Sequence, residues 1–421
     1  NTPDTNASNK HGMDIQILDM LWGMTYFFHS MVDTKSNRFY YLCKPQTEER
    51  IFERCPLRDL GATWDATTVL LFWKNNPENQ RWLQANSKSQ KTLDTNNNNN
   101  IHPNDWQQRL ETTVRTTLKA YTSKLLDING SSGMALDPDF LQEAPNIAHS
   151  AFVLLIATNA LKLGLSLPNS CNDISIFDSL TRGILSMQRE DGAFCITFGS
   201  GAEDDNVYPG IEFYPGEAMV ALMEVYDHQV TSTKDNNLIS DNTRDAILPA
   251  MSRAFEFYSK LYYNGEMDAN YNIWQVQAFA RLYHALLTKD NTGEEATLVA
   301  DYVLNMCQDI VSSRSWKELY RGKSFYPNLQ TVEIACGLDA LTQGIQIAIA
   351  SSETRQMDDL IETRLLQLHA NYAVDFLRHV QNLVPEDQLV GFGGLGFGGV
   401  QVFEQRLDVT GHAISALTKM H

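Results

Sequence analysis

The chain has 421 residues, of which 43% are hydrophobic and 20% charged, and its formal net charge at pH 7 is −18. This composition is typical of a globular protein. The acidic balance disfavours nucleic-acid phosphates and anionic lipid surfaces as partners, because both need clustered Lys and Arg. The most apolar stretch, residues 147–163, contains polar side chains and is shorter than the roughly 20 apolar residues that span a bilayer. We therefore expect no integral membrane segment.

Apolar residues recur at helical spacing along most of the chain, and this periodicity predicts about twelve helices. The helices alternate in character: odd-numbered ones are amphipathic, whereas even-numbered ones are apolar on nearly all sides. The predicted ranges are 12–31, 60–74, 105–126, 146–163, 173–188, 213–228, 243–263, 270–288, 295–313, 329–350, 357–381 and 409–420.

This alternation predicts an all-α fold, an (α/α)6 toroid in which six helical hairpins form an outer and an inner ring. One such domain accounts for residues 1–421, with a polar Asn-rich loop at about 86–103. Strand signals are weak, so short β-hairpins are expected only in loops. The Gly-rich segment 391–399 follows a helix instead of a strand, which favours a lid or a rim turn over a nucleotide site.

In a toroid the inner helices start at the mouth of a central funnel, so polar residues at those starts converge on one cavity. Aromatic rings stack on sugars, and carboxylates and amides bind hydroxyl groups. Glycosidic cleavage needs one carboxylic acid and a second carboxylate. The candidate catalytic residues are Glu217, Asp408, Asp268 and Asp65, and the candidate substrate-binding residues are Arg58, Trp64, His149, Glu212, Tyr214, Trp274, Gln275, Tyr326, Gln330, Glu333, Arg406 and His412.

The order of the helices predicts which acids face each other across the funnel. Asp65 is expected opposite Asp268, and Glu217 opposite Asp408. Each also has a structural interpretation, since Glu217 can complement the dipole of its helix and Asp408 can act as an N-cap. The histidines and tryptophans of the set can equally be core residues.

Several segments resemble a little-characterised family of α/α-toroid proteins. They are Gln188–Phe194, Phe213–Leu222 and Arg406–Leu417, and Arg58–Trp64 is similar except that Asp59 stands where we expect His. The family looks like part of the superfamily of six-hairpin glycosidases, sugar epimerases, lyases, terpenoid cyclases and prenyltransferase β-subunits. The resemblance therefore implies the toroid fold.

The segment Gln188–Phe194 also resembles a repeat of terpenoid cyclases that ties hairpins together, which implies structural roles for Gln188 and Asp191. The Asp-rich signatures those cyclases use are missing, since Asp204 and Asp205 alone do not make one. Isoprenoid chemistry is therefore the second choice.

The leading interpretation is a carbohydrate-active enzyme, a hydrolase, lyase or epimerase acting on an oligosaccharide or polysaccharide in the funnel. Arg406 and His412 are expected to bind or orient that substrate. The alternatives are an isoprenoid cyclase-like enzyme and a non-catalytic toroid that binds a glycan or a protein. We expect no cofactor and no metal, because HExxH, GxSxG and paired metal-ligand spacings do not occur.

The six cysteines are scattered without a CxxC pair, which argues against a zinc ribbon or a thioredoxin-type motif. Cys43 and Cys55 flank one loop and can pair in an oxidising compartment. Asn6 and Asn129 begin glycosylation sequons. These features favour a lumenal or extracellular address.

Overall fold

The computed structural model describes residues 5–53, 55–86, 105–139, 141–166, 174–199, 210–231, 238–267, 273–289, 293–351, 358–384, 391–396, 398 and 404–421. Within these residues the protein is all-α, with only small strand pairings. The helices are α1 Thr5–Ser30, α2 Pro56–Asn75, α3 Pro77–Asn86, α4 Asp105–Thr122, α5 Ile147–Lys162, α6 Ile174–Ser186, α7 Tyr214–Thr231, α8 Asp241–Tyr263, α9 Ile273–Lys289, α10 Glu294–Ser312, α11 Arg314–Tyr320, α12 Thr331–Ser351, α13 Asp358–Gln381 and α14 Leu407–Met420.

All twelve predicted helices are present, which confirms the periodicity argument. The largest differences are at N-termini, where α1 and α2 begin several residues earlier than predicted. Helices α3 and α11 were not predicted, because each is short and shows too few apolar residues for a period to be visible. Trp82 anchors α3 by stacking on Trp73 at 5.7 Å between ring centroids. The predicted Asn-rich loop lies mostly outside the described residues.

Six helices contact one another in a closed cycle, which we call the contact cycle. Helix α2 packs on α5, α5 on α7, α7 on α9, α9 on α12, α12 on α14, and α14 back on α2. These are the six even-numbered helices that the sequence predicts to be inner. The other long helices lie against this cycle, with α4 touching α2 and α5, α8 touching α7 and α9, α10 touching α9 and α12, and α1 touching α14 and α2.

The burial of side chains explains why the two sets of helices differ in composition. Helix α5 is buried along nearly its whole length, because it has neighbours on several sides. Helix α4 instead buries one stripe that includes Leu110, Val114 and Leu118, and it exposes Gln107 and Gln108 to solvent. Each fully buried large apolar side chain contributes about 1.5–3 kcal/mol, so both patterns stabilise the same arrangement.

Two small sheets lie in the connections. Strands β1 Leu42–Lys44, β2 Glu49–Ile51 and β5 Gln405–Arg406 form an antiparallel sheet in the order β2-β1-β5. Strands β3 Leu125–Asp127 and β4 Gly133–Ala135 form a hairpin. The expectation of hairpins alone is therefore too narrow, because β5 comes from the other end of the chain and fixes the start of α14 next to β1.

The described part of the Gly-rich segment is a buried turn. Gln381 Nε2 donates to Gly393 O at 3.1 Å, and Gln405 Nε2 donates to Gly394 O at 2.8 Å. Gly393 has φ +81°, and a Cβ there would lie 1.9 Å from Gly23 O in α1. Residues 391–396 are thus packed tightly on α1, which fits a rim turn better than a lid.

The predicted structural role of the Gln188 segment is visible in its hydrogen bonds. Gln188 Nε2 donates to Gly192 O at 3.0 Å and to Ala250 O at 2.8 Å, and Arg253 Nη2 donates to Gln188 Oε1 at 2.7 Å. Asp191 Oδ1 accepts from the Ala193 backbone N–H at 3.1 Å. The turn after α6 is therefore tied to α8.

One described helix, Thr331–Ser351, is long and apolar enough to cross a membrane by length and composition alone. Most of it is buried inside the protein, as expected for a core helix of the contact cycle.

Candidate functional site

Two buried carboxyl groups lie on contact-cycle helices, one in the middle of α2 and one in the first turn of α7. Asp65 sits on α2 and is 7% exposed, and Glu217 sits in the first turn of α7 and is 8% exposed. Burial raises the pKa of Glu217 to about 8 and the pKa of Asp65 well above its usual value. Glu217 Oε2 has no hydrogen-bond partner among the described residues. At neutral pH the Glu217 carboxyl group is therefore mostly protonated.

His412 of α14 lies close enough to both acids to lower the pKa of each through its charge. Burial alone lowers the pKa of His412, but its interactions with Cys336 and Asp339 of α12 outweigh burial and hold the pKa well above the usual value. His412 Nδ1 is 4.0 Å from Asp339 Oδ2. The raised pKa of His412 favours its cationic form beside the two carboxyl groups.

Asp339 is fully buried, and its two oxygens accept hydrogen bonds from polar groups of two helices, α9 and α14. Oδ1 accepts from Lys419 Nζ at 2.6 Å and from Ser415 Oγ at 3.0 Å. Oδ2 accepts from Gln277 Nε2 at 3.1 Å. Burial alone raises the pKa of Asp339, but the charges of Lys419 and His412 hold it below the usual value. This carboxylate is therefore the fixed negative charge that supports His412.

Aromatic rings from three helices form one wall next to the acids. Trp64 and Trp274 lie 5.3 Å apart between ring centroids, and Phe152 is 6.2 Å from Trp64 and 5.8 Å from Trp274. Trp274 also meets the His412 ring edge-on at 5.9 Å. The two tryptophans are mostly buried, so they serve the core as well as this wall.

Two glycines permit the close approach of these helices. A Cβ at Gly411 would lie 1.8 Å from Asp65 Oδ2, so α14 can meet the carboxyl group only without a side chain there. A Cβ at Gly216 would lie 2.6 Å from the Cβ of Trp274, which lets α7 approach α9. The packing of both helix starts therefore depends on glycine.

Arg406 and Asp408 form a local ion pair at the start of α14. Arg406 Nε donates to Asp408 Oδ1 at 3.0 Å, and the second guanidinium nitrogen donates to Oδ2. Oδ1 also accepts from the Val409 backbone N–H at 2.9 Å. Asp408 is therefore in the first turn, and the N-cap position belongs to Arg406. Asp408 still lies near the cluster, because its charge raises the pKa of Asp65.

Arg58 and Arg406 share one aromatic partner. The guanidinium carbon of Arg58 lies 4.2 Å from the centre of the Tyr41 ring, and that of Arg406 lies 5.3 Å from it. Arg58 also pairs with Glu53. The two cations are brought together as predicted, next to the start of α14.

Glu212 and Tyr214 lie at the start of α7, and His149 lies in the first turn of α5. Burial and the Glu217 charge raise the pKa of Tyr214, whose ring contacts Gly210. Glu212 is partly buried in the turn before α7. Burial lowers the pKa of His149 to about 4, so its ring is neutral at pH 7. His149 Nδ1 has no partner in the described part of the chain.

Four predicted binding residues point elsewhere, and one catalytic candidate cannot be placed. Gln275 Oε1 accepts from Tyr302 of α10 at 3.1 Å, Tyr326 packs on Phe376 of α13 at 4.9 Å, and Glu333 accepts from Ser315 of α11. Gln330 is exposed. Asp268 lies outside the described residues, so the predicted pair with Asp65 stays a prediction.

The sequence reasoning missed Asp339, Cys336 and Lys419. The signal was available for two of them, because a charged residue inside a helix that is otherwise apolar on all sides must have a buried partner. Asp339 is such a residue in α12, and Lys419 follows Ser415 by one turn in α14. Which charge meets which depended on the packing of helices that are distant in the chain.

Cys43 and Cys55, for which the sequence leaves a disulfide open, are both free thiols in the structure. Cys43 is buried, its Sγ donates to Gln405 Oε1 at 3.3 Å, and burial raises its pKa to about 12. Among the described residues, no group of three or more His, Cys, Asp or Glu side chains is arranged to hold a metal ion.

No protein-family profile matches the chain, and no curated protein matches it. The resemblance to α/α-toroid enzymes stays a prediction.

Proposed function

We propose that the contact cycle is the inner ring of an (α/α)6 toroid, and that the protein is a carbohydrate-active enzyme. Its acid groups lie in the N-terminal halves of the ring helices α2, α7 and α14. The reaction is hydrolysis, elimination or epimerisation of an oligosaccharide or polysaccharide. One observation carries the proposal: Glu217 is a buried carboxyl group with a pKa of about 8 and an oxygen without a partner among the described residues. Such a group holds a proton at neutral pH and can offer it to a ligand.

Glu217 is the general acid in this proposal. It protonates the leaving oxygen of a glycosidic bond, or the corresponding oxygen in an elimination. The His412 charge lowers the pKa of Glu217, so the proton is easier to transfer. Asp65 is a second proton donor beside it. Asp408, held by Arg406, is the candidate for the second carboxylate.

The aromatic wall supports a sugar substrate. Trp64, Trp274 and Tyr214 provide ring faces beside the acid groups, and sugar C–H faces pack on such rings. Arg58 and Arg406 provide donors for hydroxyl or carboxylate oxygens. A site of aromatic and charged side chains suits a sugar ring better than the long apolar chain of an isoprenoid.

An isoprenoid cyclase-like enzyme is the second candidate. It is favoured by one arrangement, in which Asp65, whose pKa is raised by burial, directly follows Trp64 of the aromatic group Trp64, Phe152 and Trp274. A proton donor can start such a cyclisation, and aromatic faces stabilise cations. A non-catalytic toroid that binds a glycan or protein through the same residues is the third.

The test begins with a thermal-shift screen against neutral and acidic oligosaccharides and prenyl diphosphates, because a ligand that binds only the native state raises the melting temperature. Turnover of a sugar that responds is then measured for Glu217→Gln and for Glu256→Gln, the same exchange at an exposed position of α8. We expect Glu217→Gln to abolish turnover and Glu256→Gln to preserve it. Full activity of Glu217→Gln would refute the assignment. A response to diphosphates alone would favour the cyclase, and the absence of any response would favour a binding role.

A further inference from the structure

A cavity lies further along the contact-cycle helices, away from the acid cluster of Asp65, Glu217 and His412. It has a volume of about 440 Å³ and is lined by side chains of α2, α5, α7, α9 and α14, including Trp64, Asn159, Lys162, Glu224, Arg281 and Lys419. Its volume falls within the range of about 300–1,000 Å³ that small-molecule sites occupy. The acid cluster does not line it.

The cavity and the acid cluster are separated along two helices. Glu224 follows Glu217 by seven residues on α7, and Lys419 follows His412 by seven residues on α14. Seven residues correspond to about 10 Å along a helix axis. The cavity therefore opens beyond the acid cluster, toward the C-terminal ends of the ring helices.

The cations of this cavity stand in front of buried carboxylates. Lys162 Nζ donates to Glu224 Oε2 at 2.9 Å, and Arg281 binds the other oxygen of the same carboxylate. Glu224 is buried, whereas Lys162 and Arg281 are partly exposed. Asp339 lies behind Lys419 in the same manner. The carboxylate oxygens are therefore hydrogen-bonded to the cations, and the cations line the cavity.

Several donors in the wall have hydrogens to spare. In the described part of the chain the Lys162 ammonium, which has three N–H groups, bonds Glu224 alone. Arg281 uses two of its nitrogens on Glu224 and Asp227 and retains further N–H groups. The exposed Asn75 side chain bonds none of the described residues. A ligand here must supply acceptor oxygens.

The surroundings of this cavity are less acidic than the chain as a whole. Among the described lining residues there are three cations, Lys162, Arg281 and Lys419, and one carboxylate, Glu224. Asp227 and Asp339 pair with Arg281 and Lys419, so the local charges balance, whereas the whole chain carries a net charge of −18. A small anion therefore meets less repulsion here than the net charge of the chain implies, and the spare N–H groups can bond its oxygens.

We propose that this cavity binds an acidic monosaccharide. Its carboxylate lies on Lys162 and Arg281, its hydroxyl groups face Asn75 and Asn159, and its ring packs toward Trp64 and Phe72. All six side chains line the cavity. The inference does not rest on the proposed function: the cavity shares Trp64 with the aromatic wall, but its charged and amide residues differ from those of the acid cluster, and binding requires no chemistry.

Isothermal titration with d-glucuronate, d-glucose and acetate tests the proposal. Wild-type protein is expected to bind glucuronate more tightly than glucose or acetate, since only glucuronate offers both a carboxylate and hydroxyl groups. Asn75→Asp adds a negative charge to the wall at an exposed position, so it should fold normally and weaken glucuronate about fivefold. Asn382→Asp, the same exchange at an exposed position outside this cavity, should leave the affinity unchanged.

Other results would overturn the proposal. Absence of glucuronate binding to the wild type, or equal affinity in Asn75→Asp, would mean that the cations serve only the buried carboxylates and helix ends. Acetate binding as tightly as glucuronate would remove the sugar from the proposal. If Glu217→Gln abolishes glucuronate binding and Asn75→Asp does not, the ligand binds at the acid cluster. That result would refute the second site and leave the proposed function standing.

Discussion

Replacement of Glu217 by Gln should stabilise the protein at neutral pH. In the folded state the carboxyl group has a pKa of about 8, against an ordinary value of 4.5 in the unfolded chain. Between pH 4.5 and pH 8 the Glu217 carboxyl group is ionised in the unfolded chain but still protonated in the folded protein. The stability contribution is therefore complete below pH 4.5 and is lost as the pH rises toward 8. At pH 7 the loss is about 3 kcal/mol, at 1.4 kcal/mol per pH unit.

Gln keeps the shape of Glu and removes the titration. We expect Glu217→Gln to match the wild type near pH 5, to exceed its free energy of unfolding by about 2–3 kcal/mol at pH 7, and to gain further by pH 8. Urea unfolding of both proteins at pH 5, 6, 7 and 8 measures the difference. A difference that does not grow with pH would show that Glu217 is not a buried protonated acid, and the reasoning would fail with it.

Glu224 provides a matched control of opposite sign on the same helix. Its ion pairs with Arg281 and Lys162 outweigh burial and lower its pKa to about 2. This carboxylate contributes stability above pH 4.5 that is lost as the pH falls through 2. Glu224→Gln should therefore destabilise the protein by about 3 kcal/mol at pH 7, with little change between pH 5 and 8. Equal behaviour of the two variants would contradict the assignment of both groups.

Three further outcomes are expected. Turnover of the substrate found by screening should fall as the pH rises through about 8, because Glu217 then loses its proton; a rate that rises there would exclude it as the acid. Asp339→Asn should lower the pKa of His412, measured by NMR of labelled histidine, and an unchanged value would exclude their coupling. Gly411→Ala should lower the melting temperature because of the clash with the carboxyl group, whereas Gly61→Ala on α2, with ordinary contacts, should preserve or raise it.

The sequence predicted the helices and their two classes correctly. A helix packed on all sides must be apolar all round, and a helix with one wet face must be amphipathic, so each class is visible in the local pattern. The same local signals made Glu217, Asp65 and His412 site candidates, which stays a prediction, whereas the structural role of Gln188 was implied by the resemblance of its segment to a cyclase repeat. The sheet partner of β1 was not predictable, because β5 lies more than 300 residues away in the chain.

In the candidate site, too, some features follow from the sequence and others depend on the tertiary structure. That acids, histidines and tryptophans stand at the starts of apolar helices follows from the sequence. The assembly of Asp339, His412 and Lys419 into one network was decided by the tertiary structure, because α12 and α14 must pack before those charges meet. The tertiary structure also decided the protonation of Glu217, because its pKa depends on how completely neighbouring helices exclude water. Local patterns depend on near neighbours in the chain, whereas charge states and pairings depend on neighbours in space.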